Sequence, residues 1–336
     1  MTKRNVIIEL RLIYTLKICI IFSMSVSFNL LKAQEVNRDD AILFEISGNE
    51  LHTPSYLLGT WHNIEGTFAH KIQGFDSIFN KVEIVAVECD VDSMQQLESV
   101  KEWLEMEKQA KSLHIDSTLY EKELASYVQT IDTVLAKCGY AEGFKSRHPY
   151  RNQRILEWYA TIYSVNESSF KSGKITTEQV LLDQYLTRLA KKKGKCIVAL
   201  DSTEMRIHTG EEGLKKIKSK LYDEPIGKQI TDLYYTAQRI HKARELNIRA
   251  ALAYKSGQGK LSVKKLYTRR LGFDTNNVCD RNARWMRMIP DIITTKPALI
   301  AVGIGHLFPR SFRDGKTCNG LIEDLRERGY SVKAIK

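Results

Sequence analysis

The 336-residue sequence predicts an α/β protein: a mixed β-sheet core built from its N- and C-terminal parts, with a large helical insertion between them. Three observations predict it. Short apolar runs near both ends, such as "SYLLGT" (55–60) and "ALIAVG" (298–303), have the length and composition of buried strands. Two long stretches between them, 93–195 and 211–292, repeat apolar residues at helical spacing. No Pro- or Gly-rich linker divides the chain, so residues 34–336 are expected to form a single domain. With 43% hydrophobic and 27% charged residues and no low-complexity tract, the composition supports a packed core.

The elements follow in order. Residues 1–33 place Lys3, Arg4 and Arg11 ahead of the apolar "ICIIFSMSVSF", with Leu31 and Ala33 as a small-residue cleavage signal. This predicts a signal peptide removed after Ala33 or Gln34, and an exported protein that is periplasmic, envelope-associated or secreted; an uncleaved anchor is the alternative. "AILFEIS" (41–47), the Gly48-Asn49 turn and "SYLLGT" predict a β-hairpin that delivers His62. A helical stretch near 68–80 precedes "VEIVAVECD" (82–90), a buried strand closing on Glu88 and Asp90. The first helical block ends in "EQVLLDQYLTRLAKKKGK", where Gly194 has the position of a helix C-cap. "CIVALD" (196–201) is expected as another buried strand, ending on Asp201, with Ser202, Thr203 and Glu204 placed to cap the next helix. The polar "YKSGQGK" (254–260) interrupts the second helical block, "PALIAVGIGH" (297–306) supplies a late strand, and the chain closes as helix, Gly turn and strand.

The net charge of +11 falls to +7 once residues 1–33, with five Lys or Arg and one Glu, are removed. The excess sits in helical runs such as "AKKKGK" (190–195) without interleaved aromatics, which indicates solvated faces and excludes a nucleic-acid partner, while peripheral association with an anionic envelope surface fits the charge. Five Cys remain and no C-x-x-C pair exists, so a zinc ribbon or a thioredoxin-type site is unsupported. Cys89 and Cys196 lie in strand-like runs and are expected in the core, whereas Cys279 and Cys318, in loop-like surroundings, could pair in an oxidising compartment.

Two apolar strands run into Gly-x-x-His, at Gly59 to His62 and at Gly303 to His306. Glycines at strand ends permit tight turns, and a His beyond them faces the crevice where such sheets bind ligands. With Glu88 from a third strand end, two imidazoles and a carboxylate suit zinc, manganese, cobalt or iron, and the Glu could ligate the ion or activate water. The competing reading is a pair of buried, hydrogen-bonded structural histidines. His52, His70, His114, His148, His208 and His241 lack such a setting and are expected as surface or core residues. There is no Gly-x-Ser-x-Gly elbow, P-loop, Gly-x-Gly-x-x-Gly turn or His-Glu-x-x-His helix.

In sequence order, "SYLLGTWH", "VAVECD", "LDQYLTRLAKKKGKCIVALDS", "DRNARWMRMI" and "ALIAVGIGHLF" followed by "GLIEDLRERGYSVKAI" resemble the blocks of the TraB/GumN family, which includes the Tiki metalloproteases. The resemblance implies a metal site of His62, His306 and Glu88, with Gly59, Gly303 and Gly305 shaping the turns. Arg281 and Asn282 match the family's Arg-Asn pair, whose donors would bind a substrate carbonyl or carboxylate; an ion pair is the alternative for Arg281. Asp183 matches a family position. Asp201 stands where many relatives have Glu, one methylene longer, which favours an orienting over a ligating role. The implied function is an exported metal-dependent hydrolase, a peptidase acting on a peptide or small-molecule substrate. The alternative is a non-catalytic envelope protein that holds a peptide, haem or signalling ligand in the same pocket.

Overall fold

The computed structural model describes residues 40–110, 112–113, 115, 118–137, 143–145, 147–173, 181–267, 277–312 and 315–336. The expected signal segment, His114 and Cys138 lie outside the described residues. The strands are β1 (Leu43–Gly48), β2 (Ser55–Thr60), β3 (Ile84–Val87), β4 (Cys196–Ala199), β5 (Ala298–Gly303), β6 (Arg310–Ser311), β7 (Thr317–Cys318) and β8 (Tyr330–Ala334). Six of them form one mixed sheet in the order β4-β3-β5-β2-β1-β8, and β6 pairs with β7 in a small ribbon. β4, β3, β5 and β2 are mutually parallel, whereas β1 runs antiparallel to both β2 and β8. The expected α/β class is therefore observed, with a sheet drawn from both ends of the chain.

Continuous apolar runs build the parallel strands because both faces are covered. β2, β3 and β5 are buried along their whole length. Each Val, Ile or Leu side chain so buried contributes about 1.5–3 kcal/mol. β4 corrects the expectation of another buried strand: it lies at the edge of the sheet, and Cys196 at its start is exposed rather than a core residue. Its apolar run reflects one covered face, packed by the helix Leu182–Lys192, which buries Leu182, Leu186 and Ala190. That helix stops as expected: Gly194 takes φ +64°, a left-handed conformation that glycine adopts without strain. The hairpin connection is longer than the two-residue turn that Gly48-Asn49 suggests. Gly48, Asn49 and Glu50 all have positive φ, and residues 49–54 link the strands.

The helical middle carries apolar clusters of its own. Tyr120, Leu124, Ile131, Phe144, Leu156 and Leu233 belong to one, and Met106, Ala110, Ile217 and Leu221 form a smaller one. The 30-residue helix Ile226–Lys255 connects this region to the sheet. Its first half buries Ile230, Leu233 and Ile240 among the helices, and its end buries Ala250, Ala251 and Tyr254 in the sheet core. "YKSGQGK" marks the break before the next helix, Gly259–Tyr267. One π-helical turn, Tyr159–Tyr163, follows the helix Pro149–Trp158 and forms part of the site described next. Among the described residues no helix is long and apolar enough to cross a membrane.

Candidate functional site

Every parallel strand ends on a polar group at the same edge of the sheet. His62 follows β2, Glu88 follows β3, Asp201 follows β4 and His306 follows β5. This is the edge where open α/β sheets bind ligands, because the crossover connections leave a crevice there. The convergence is measurable at Gly303, where an ideal Cβ would stand 3.0 Å from Glu88 Oε1, 3.4 Å from His62 Nε2 and 3.6 Å from His306 Cδ2. Residues 62, 88 and 306 thus meet around one point.

Each imidazole is held by its Nδ1. His306, only 5% exposed, has Nδ1 2.7 Å from Asn282 Oδ1. Asn282 Nδ2 donates to the carbonyls of His306 (3.1 Å) and Asn319 (3.3 Å), which fixes the amide so that Oδ1 accepts and His306 carries its proton on Nδ1. His62 Nδ1 donates to Asp183 Oδ2 at 2.7 Å, and the same carboxylate accepts from Thr60 Oγ1. In both rings Nε2 faces the cavity, where that of His306 accepts from Arg281 Nη1 (3.4 Å). A carboxylate or amide behind an imidazole is the arrangement that orients metal-ligating histidines.

Glu88 is held from two sides. Its Oε1 accepts from the Gly303 amide (2.6 Å) and lies 3.8 Å from His306 Nε2, and its Oε2 accepts from Arg281 Nη2 (2.5 Å). Arg281 also donates to Asp201 Oδ2 (2.8 Å) and Oδ1 (3.3 Å), and its Nη1 stands 3.4 Å from His306 Nε2. The ion pair expected as one of two roles for Arg281 is formed, with both Glu88 and Asp201. Asn282 is a correction: it is 2% exposed and both amide protons are spent on backbone carbonyls, so it positions His306 and has no donor left for substrate. Asp201 orients Arg281 and accepts from Trp285 Nε1 (3.0 Å), in keeping with an orienting role.

The glycines differ from expectation as well. Gly59 and Gly303 lie inside β2 and β5, and neither has a positive φ. What they supply is space rather than a turn. A Cβ on Gly59 would come within 2.1 Å of Ile304 Cδ1, and one on Gly303 would enter the site itself. Gly305 is buried in the short 3-10 turn Ile304–His306 that follows β5.

The electrostatics follow from these contacts. The Asp183 carboxylate beside His62, whose side chain is 62% exposed, drives its imidazole up to about 9, so it is a cation at neutral pH. Burial pushes His306 down to about 4, which keeps it neutral. Burial alone would raise Glu88; His306, His62, Arg281 and the Gly303 amide together outweigh it and hold the carboxyl at about 2.

Sequence reasoning missed several contributors. Trp285 packs its ring 4.4 Å from His306 and under Arg281, whose Cζ is 4.6 Å from the ring. The helix Val278–Trp285 places Arg281 and Trp285 one turn apart, a signal available in "DRNARW". Tyr254 donates to the Gly59 carbonyl (2.8 Å) and packs edge-on against Trp61. The disulfide Cys279–Cys318, expected from the loop-like surroundings of both residues, ties this helix to β7, next to Asn319. The cavity above the site has a volume of about 550 Å³, and its far wall is helical, formed by Ala160, Thr161, Thr236, Arg239 and Asn247. Neither composition nor spacing announces that wall.

Two imidazoles and a set of carboxylates gathered at the carboxyl ends of four parallel strands, under a helical roof, define an α/β protein with a built polar site in a ligand-sized cleft. The chain belongs to the TraB/PrgY/gumN family, whose model matches residues 42–334. No curated protein and no solved structure matches the chain.

Proposed function

We propose that the protein is an exported metal-dependent hydrolase acting on peptides, with His62, His306 and Glu88 at its centre. The observation that carries this reading is the fixing of both Nδ1 atoms, by Asp183 and by Asn282, which leaves two Nε2 atoms beside Glu88. In kind, the donors fit a divalent ion such as manganese, cobalt, zinc or iron. When bound by these residues, such an ion would supply Lewis-acid polarisation of the scissile carbonyl. The protein's own groups do the rest: Glu88 is ionised and offers a carboxylate acceptor to the ion or to an attacking water, Arg281 holds that carboxylate in place, and Trp285 with Asn282 fixes His306. Export is supported by the N-terminal sequence and accords with the Cys279–Cys318 bridge.

A second reading is favoured by one observation. Among the described residues no three His, Cys, Asp or Glu side chains are set to hold a metal ion, and Arg281 bonds Glu88 while standing next to His306 Nε2. A non-catalytic binding protein for a peptide, haem or signalling molecule would use the same cleft in that state. Elemental analysis of the mature protein and of His306→Ala, with digestion of a peptide library with and without chelator, separates the two. The hydrolase reading expects metal near one equivalent, lost in the variant, and chelator-sensitive cleavage. Metal retained by His306→Ala, or cleavage indifferent to chelator, refutes it.

A further inference from the structure

The charges that line the cleft do not cancel evenly. On the sheet side Glu88 is bonded to Arg281, and Asp201 shares the same guanidinium. On the helical side the carboxylate is Glu157, already met by Arg154 Nη1 and Gln153 Nε2, each at 3.2 Å. Arg239 is different. It lines the cleft from the helix Ile226–Lys255, it is exposed, and it has no carboxylate partner among the described residues. Its contact is with the ring of Tyr235, one turn earlier on the helix, 5.7 Å from the guanidinium carbon. Stacking on an aromatic face restrains an arginine while leaving its N–H fork free to bind a carboxylate in the plane of the group. Around Arg239 the wall offers hydroxyls and an amide, Thr161, Thr236 and Asn247, and no further acid beyond Glu157.

We infer that the helical wall is an anion subsite, in which Arg239 receives an acidic side chain of a peptide whose backbone lies across the strand-end site. This rests on the reading of the cleft as a peptide site and adds the substrate class: segments with Glu or Asp at a fixed distance from the bond presented to His62, Glu88 and His306. Arg239 is a specificity residue in this account and takes no part in bond cleavage.

The test uses two pools of N-acetylated, C-amidated octapeptides that differ only in carrying one Glu or one Gln, and a third carrying Lys. Retention of each pool by the full mature chain is measured by equilibrium dialysis with mass-spectrometric readout, with Arg239→Gln and Arg239→Glu alongside, and cleavage is scored separately. The wild type should retain the Glu pool about tenfold better than the Gln pool, in line with one charge-assisted contact. Arg239→Gln should abolish that preference and Arg239→Glu should transfer it to the Lys pool, with melting temperatures unchanged at this exposed position. Equal retention of the Glu and Gln pools by the wild type, or a preference that survives in Arg239→Glu, overturns the subsite. If the preference moves with Arg239 while no pool is cleaved, the subsite stands and the hydrolase reading falls. Cleavage blind to peptide charge would do the reverse.

Discussion

Asn282 bonds the same residue twice: its Oδ1 accepts from His306 Nδ1 at 2.7 Å while its Nδ2 donates to the His306 carbonyl at 3.1 Å. One amide thereby fixes both the backbone and the ring of a cleft histidine. Asn282→Ala should leave His306 Nδ1–H and two carbonyls unpartnered in a buried setting and cost about 1–3 kcal/mol. Urea denaturation monitored by fluorescence measures this, and an unchanged midpoint would show that the amide is dispensable.

Asp183 controls the charge of His62. Because the folded pKa of about 9 lies above the ordinary 6.5, the pair stabilises the metal-free fold fully below pH 6.5 and loses that contribution as pH rises through 9. His306 acts on the other side: its lowered folded pKa of about 4 means the unfolded chain takes up a proton first, so stability falls as pH drops from 6.5 towards 4. A stability maximum near pH 6.5 is expected, and Asp183→Asn should flatten its alkaline limb. Imidazole resonances followed by NMR across pH 4–10 report His62 directly; a His62 titrating near 6.5 in the wild type would contradict the assignment.

Metal uptake should compete with that proton. Ligation requires His62 Nε2 to be bare, so the affinity for manganese or zinc is expected to rise by about tenfold per pH unit between pH 6.5 and 9. Calorimetric titration at several pH values, in buffers of different ionisation enthalpy, counts the protons released. An affinity flat across that range would exclude His62 as a ligand.

The two glycines should fail in different ways. Gly59→Ala drives a methyl into Ile304 and Leu307 and should destabilise by about 1–3 kcal/mol through overpacking. Gly303→Ala meets Glu88 Oε1 and His62 Nε2 instead, so the expected outcome is loss of activity and metal binding with the melting temperature nearly kept. Thermal melts of both variants beside metal content decide it; the reverse pattern would mean Gly303 is a packing residue.

The sheet was legible because β2, β3 and β5 are continuous apolar runs with polar ends, and the periodicity of the helical blocks was long enough to register. The edge position of β4 was not, since an apolar run looks alike whether one face is covered or both. His62, Glu88 and His306 could be named from strand ends and from the family's blocks, and they do meet. The role of Asn282 was hidden because an amide's partners depend on three dimensions, here on a carbonyl 37 residues away at Asn319. Arg239 carried no signal: one arginine on a long polar helix face is ordinary until the fold turns it towards the strand ends.

β5 is the strand between β3 and β2, yet it is made of residues 298–303, whereas its neighbours come from residues 55–60 and 84–87. A chain emerging from the ribosome therefore lacks the strand that joins β2 to β3 for more than two hundred residues of synthesis after Glu88. The cleft is closed by a segment that follows Glu88 at that distance, so a product truncated before β5 would carry an open slot in its sheet and no assembled centre. Pairings across such sequence distances are also slow to form, which ties assembly of the centre to the arrival of β5.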